Sequence, residues 1–173
     1  MRMKNSVFVK VLLAVAVVVS LQSCSDDDDD ELKPEFIATD SSFSNFMSWE
    51  LEATHQGPDP ALGTAHGGND ETVTREIFYM NGQNPVSGEF PVGTIIVKHS
   101  SNSELSVNEF TAMVKRGNDF NPSGGDWEWF MLNADGSIAS DPSSGTKMRG
   151  ANLMGGMCIS CHSAGSTDYT FTK

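Results

Sequence analysis

From Thr72 to Leu132 the chain breaks into short runs in which apolar and polar residues alternate, each closed by glycine or turn residues. Val73, Arg75, Ile77 and Tyr79 alternate with Thr74, Glu76, Phe78 and Met80, a period of two that predicts a strand. Asn81-Gly82 marks a turn, and Gly88 to Gly93 is a second break. Thr94 to Lys98 reads as a short β-branched strand, Leu105 to Lys115 as a longer one, and Trp127 to Leu132 as another. Upstream, Ser41 or Ser42 can cap a helix through Phe43, Phe46, Met47 and Leu51, which recur at three- and four-residue steps. Pro58 and Pro60 end that segment, and 61–70 is a glycine-rich loop. Met148 to Met157 reads as a helix or an irregular approach to the C-terminus. The expected fold is a single α+β domain: an antiparallel sheet, an N-terminal helix and a separate C-terminal segment.

The 173 residues do not all belong to that domain. Arg2 and Lys4 form a positive start, and Val11 to Val19 is an apolar run too short to span a bilayer. Leu21-Gln22-Ser23-Cys24 follows and resembles a bacterial lipobox with its lipid-bearing cysteine last. Residues 1–23 therefore read as a lipoprotein signal peptide, and Cys24 as the lipidation site. Asp26 to Glu31 is a like-charge block, and such blocks stay solvated, so 24–40 reads as an acidic tether and 41–173 as the folded domain. Ser25, rather than Asp, after Cys24 points by resemblance to the outer membrane; the acidic run either resembles signals for the outer cell surface or is a plain spacer, which leaves the periplasmic side and the cell surface both open. Loss of the signal removes three basic residues and no acids, taking the net charge from −12 to −15. A surface this acidic excludes nucleic acid and anionic lipid as partners and leaves room for a basic redox partner.

Near the C-terminus stands Cys158-Ile159-Ser160-Cys161-His162. It is the C-x-x-C-H pattern of covalent c-type haem attachment. Two thiols at this spacing can add to the two vinyl groups of one haem, and the adjacent histidine can ligate the iron. A Cys-x-x-Cys redox disulfide usually opens a helix in a βαβ unit, and none follows here. A structural zinc needs four ligands, but there is no second cysteine pair and His55, His66 and His99 are scattered. Only eleven residues follow His162, and none is methionine, so no axial methionine lies downstream. Met148, Met154 and Met157 are expected to pack, as are Phe110, Phe120, Trp127, Trp129 and Phe130. Trp127 and Trp129 share one strand face, Glu128 and Phe130 the other.

Four stretches together resemble the cytochrome P-460 family and its relative cytochrome c′-beta. They are Arg75 to Tyr79; Phe90-Pro91-Val92-Gly93-Thr94-Ile95-Ile96-Val97-Lys98; Ala112 to Lys115 with Phe120 and Trp127; and the terminal motif with Asp168 to Phe171. The resemblance spans most of 43–171. It implies a sheet-rich domain, often a homodimer, with one covalent haem c, His162 as sole protein ligand to the iron and an open opposite side. It implies a small nitrogen compound as ligand or substrate, either hydroxylamine oxidised by an enzyme or nitric oxide held by a binding or electron-transfer protein.

The resemblance also assigns residues. Lys98 matches a lysine that, in hydroxylamine-oxidising members, is joined to the haem; otherwise it is a strand-end lysine reaching solvent. Arg75 matches an arginine beside the ligand, the alternative being a surface ion pair with Glu76. Thr111 stands where those members carry a glutamate base, and Glu109, two residues earlier on the same strand face, is the candidate substitute.

Overall fold

A computed structural model describes residues 33–58 and 69–173. Six strands form one antiparallel sheet whose spatial order is their sequence order. They are β1 Glu50–Gln56, β2 Thr74–Tyr79, β3 Ile95–Ser101, β4 Asn108–Lys115, β5 Trp127–Leu132 and β6 Arg149–Gly150. Among the described residues one α-helix, α1, covers Leu153–His162. The domain is mostly sheet. The signal, Cys24, the acidic run Asp26–Glu31 and His66 lie outside the described residues. No helix among the described residues is long and apolar enough to cross a membrane.

The sheet has two buried faces, and strand alternation divides the residues between them. On one face Phe78, Val97, Phe110, Ala112, Phe130 and Leu132 meet Phe43 and Phe46 from the N-terminal segment. Phe46 packs edge-on against Phe78 and Phe110, with ring centroids 5.9 and 5.7 Å away. On the other face Tyr79, Ile96, Met113, Trp127 and Trp129 meet Leu153, Ile159 and Tyr169 of the C-terminal segment. As the alternation predicts, Trp127 and Trp129 point to this second face and Phe130 to the first.

The predicted N-terminal helix is not formed. Two single 3-10 turns, Asp40–Phe43 and Phe46–Ser48, stand in its place. Asn45 between them has φ 56°, in the left-handed region, which no continuous helix admits. Phe43 and Phe46 are buried, but Met47 and Leu51 are about half exposed, so no helical stripe exists. Leu51 instead belongs to β1, a strand the sequence pattern hides because most of its residues are polar. The packed chain also takes in part of the range expected as tether: Phe36 N–H donates to the Arg116 carbonyl, and Arg149 donates to the Ala38 carbonyl.

Candidate functional site

Antiparallel register sets the site. His55, Arg75, Ser100 and Glu109 lie in one row across β1 to β4. The next row runs Ala53, Ile77, Lys98, Thr111 and Met131. A third runs Tyr79, Ile96, Met113, Trp129 and Gly150. The three rows floor a cavity of about 220 Å³, and α1 with the C-terminal tail forms its opposite wall.

Arg75, Lys98, Glu109 and Thr111 all line this cavity. Cys158, Cys161 and His162 line it from the helix side. Residues separated by up to 87 positions are thus brought to one chamber, and Glu109 and Thr111 do share a face.

Arg75 is no surface residue. It is 3% exposed, and Glu76 points to the opposite face, beside His99. One Arg75 amine donates to the Gly57 carbonyl; among the described residues its Nη1 has no hydrogen-bond partner. A buried donor left unmade is costly, so this one is suited to a bound acceptor. Lys98 does not end its strand, which continues to Ser101. Burial in the cavity lowers its ammonium pKa from 10.5 to about 8, against the opposing pull of the Glu109 carboxylate. A desolvated lysine of this kind has nucleophilic character near neutral pH.

On α1, Met154, Gly155 and Gly156 have left-handed backbones, so regular helix is confined to the turns carrying the motif. Cys158 and Cys161 are three residues apart and His162 is four from Cys158, which places all three on one helix face. The cysteines are not disulfide-bonded, and burial pushes the Cys158 thiol pKa up. His162 packs against Trp129 and Phe171, with ring centroids 4.7 and 5.5 Å away. Its Nδ1 lies 2.8 Å from the Tyr169 carbonyl oxygen. A carbonyl can only accept, so Nδ1 carries the proton and, in the neutral imidazole, Nε2 is the unprotonated ring nitrogen. Metal-bound histidines commonly donate their other ring N–H to such a carbonyl. Among the described residues no three histidine, cysteine, aspartate or glutamate side chains gather as a metal-binding cluster, so the two thiols and the imidazole do not converge on one point.

Met154 and Met157, expected to pack, are about half exposed at the cavity mouth. The sequence pattern also passed over the residue that ties the site together. The Asp168 carboxylate receives Lys115 Nζ at 2.8 Å and the Phe90 N–H at 2.7 Å. The Trp127 indole donates to the Asp168 carbonyl at 2.9 Å. Phe90, Lys115, Trp127 and Asp168 come from three of the four stretches on which the family resemblance rests, and they meet here. The available signal was the short interval between the Cys-x-x-Cys-His motif and Asp168-Tyr169. Comparison with known proteins gives no match: no family model, no curated protein and no solved structure is recognisably similar to this chain.

Proposed function

We propose that this chain is an exported, lipid-anchored monohaem c-type cytochrome of the cytochrome P-460 and cytochrome c′-beta type, which binds a small nitrogen compound. The observation that carries the proposal is the single cavity shared by Cys158, Cys161, His162, Arg75 and Lys98, with His162 Nδ1 engaged by the Tyr169 carbonyl. Cys158 and Cys161 would hold haem c through thioether bonds, and His162 Nε2 would ligate its iron. Bound haem supplies an iron centre that takes up small ligands and exchanges single electrons.

The remaining chemistry belongs to the chain. The open hydrogen-bonding capacity of Arg75 Nη1 orients a bound acceptor, either a nitrogen oxide or a haem propionate. The Thr111 hydroxyl can donate or relay a hydrogen bond but is a poor base near neutral pH. Glu109 is the carboxylate in the cavity able to take a proton from hydroxylamine. Lys98, with its lowered pKa, is the residue equipped to bond to the haem edge. Ready binding of nitric oxide or hydroxylamine with slow turnover of hydroxylamine is the function this set of groups favours. Electron transfer to a redox partner without turnover is the second reading, favoured by threonine at position 111.

The test is direct. Protein made with a c-haem maturation system should keep its haem through acid–acetone extraction. Release of the haem would refute thioether attachment and the proposal with it.

A further inference from the structure

Asp168 and Tyr169 both have left-handed backbones, with φ of 45° and 66°. Side-chain-bearing residues rarely adopt that region, and two in succession require something to hold them. The holding groups surround the Asp168 side chain. The Asp168 side chain is 3% exposed, and both of its oxygens lie within 2.9 Å of Lys115 Nζ. The Phe90 backbone N–H donates to the same carboxylate. Trp127 Nε1 reaches both the carbonyl and one carboxylate oxygen of Asp168. Lys115 and Trp127 are register partners at the end of β4 and the start of β5, so the anchor point is the rigid rim of the sheet.

Gly165 supplies the other half of the fold-back. A Cβ there would come within 2.6 Å of the Tyr169 carbonyl carbon and 2.7 Å of Thr170 N. Only glycine lets the tail return so closely over the end of α1. The tail then places the Tyr169 carbonyl at His162 Nδ1.

We propose that Asp168, clamped by Lys115, is a positioning residue: it fixes the Tyr169 carbonyl and thereby holds His162 in the Nδ1–H tautomer with Nε2 as the ligand nitrogen. This use of the imidazole rests on the haem reading above, but the tautomer itself is a property of the chain. The carboxylate touches neither ring nitrogen; it acts through the one peptide unit that follows it. Asp168→Asn keeps the shape and removes the charge that Lys115 grips. Lys115→Gln removes the partner and leaves the Phe90 and Trp127 bonds in place.

Two measurements on the full-length chain test the proposal. In haem-loaded protein, either variant should lower the iron–histidine stretching frequency and raise the reduction potential, because a weaker hydrogen bond from Nδ1–H to the Tyr169 carbonyl makes the imidazole a poorer donor. Glu128→Gln, on the other face of the sheet, should leave the frequency unchanged, which separates positioning from general loss of stability. In haem-free protein labelled with 15N-histidine, wild-type His162 should be at least about tenfold in favour of Nδ1–H, and either variant should bring the tautomers toward parity. Unchanged frequency and tautomer ratio in a folded Asp168→Asn or Lys115→Gln protein would overturn the role of Asp168. A chain that takes up no haem but shows the tautomer shift would overturn the haem reading and leave the clamp standing.

Discussion

Arg149 grips Glu128 with two nitrogens, Nε 2.6 Å from Oε1 and Nη2 2.7 Å from Oε2, while the Glu128 side chain is only 2% exposed. Arg116 approaches the same carboxylate at 3.3 Å. Arg149 also lies over the Phe130 ring, 4.7 Å from its centroid. This is the face of the sheet away from the cavity, so the cluster bears on stability and not on the site.

Glu128→Gln leaves two guanidinium groups facing a neutral amide. Removing one partner of a buried pair typically costs about 3–5 kcal/mol. The Arg149 and Arg116 side chains keep 22% and 20% of their surface, so the lower end, roughly 3 kcal/mol, is expected. Urea unfolding should show a lower midpoint with an unchanged slope. A midpoint within error of wild type would show that the cluster is energetically idle.

Lys98 gives a pH signature. Its ammonium pKa falls to about 8, below the ordinary 10.5, because burial disfavours the charge. Above about pH 8 the folded chain holds the amine neutral while the unfolded chain still binds the proton, so stability contributed by this group rises between about pH 8 and 10.5 and is absent below. In haem-free protein, acylation of Lys98 followed by mass spectrometry should reach half its plateau rate near pH 8, with surface lysines still accelerating above pH 10. Lys98 acylating in step with the surface lysines would remove its claim to nucleophilic character.

Thr111 stands directly across from Lys98 in the β3–β4 register. Thr111→Glu puts a carboxylate in the cavity beside it. A positioned base typically contributes ~10²–10⁴-fold to a proton-transfer step, so hydroxylamine turnover should rise well beyond any change in binding. The same carboxylate should return the Lys98 pKa upward, because an opposite charge favours the ammonium. Glu109→Gln should abolish the residual wild-type turnover. Fast wild-type turnover that survives Glu109→Gln would place the base elsewhere.

Cys24→Ser tests the anchor. The variant should be recovered as a soluble or unprocessed chain. Mature-length variant fractionating with membranes would remove the lipidation reading.

The alternation in β2 to β5 was legible because each strand buries both faces against different neighbours, and the residue types record it: Trp127 and Trp129 one way, Phe130 and Leu132 the other. The start of β4 was placed too early. Leu105 is 63% exposed with φ 53°, part of the turn and not of the strand. The false N-terminal helix has a physical cause: Phe43 and Phe46 are three residues apart, a spacing that serves two 3-10 turns as well as one α-helix. The site residues on the strands followed from register parity together with the resemblance. Asp168 stands in one of the resembling stretches, but register parity gives it no role, because its partners Phe90, Lys115 and Trp127 lie 78, 53 and 41 residues away and follow no local period.

Because each strand pairs with its sequence neighbour, the five long strands are complete once the chain has reached Leu132. The thiols come later, on a segment that follows the two register pairs of β6. On the proposed haem reading, attachment at Cys158 and Cys161 would be separable in time from formation of the sheet, since no strand of the sheet lies after the motif. The Lys115–Asp168 clamp would then be among the last contacts of the domain to form, because it needs both the finished rim of the sheet and the end of the chain.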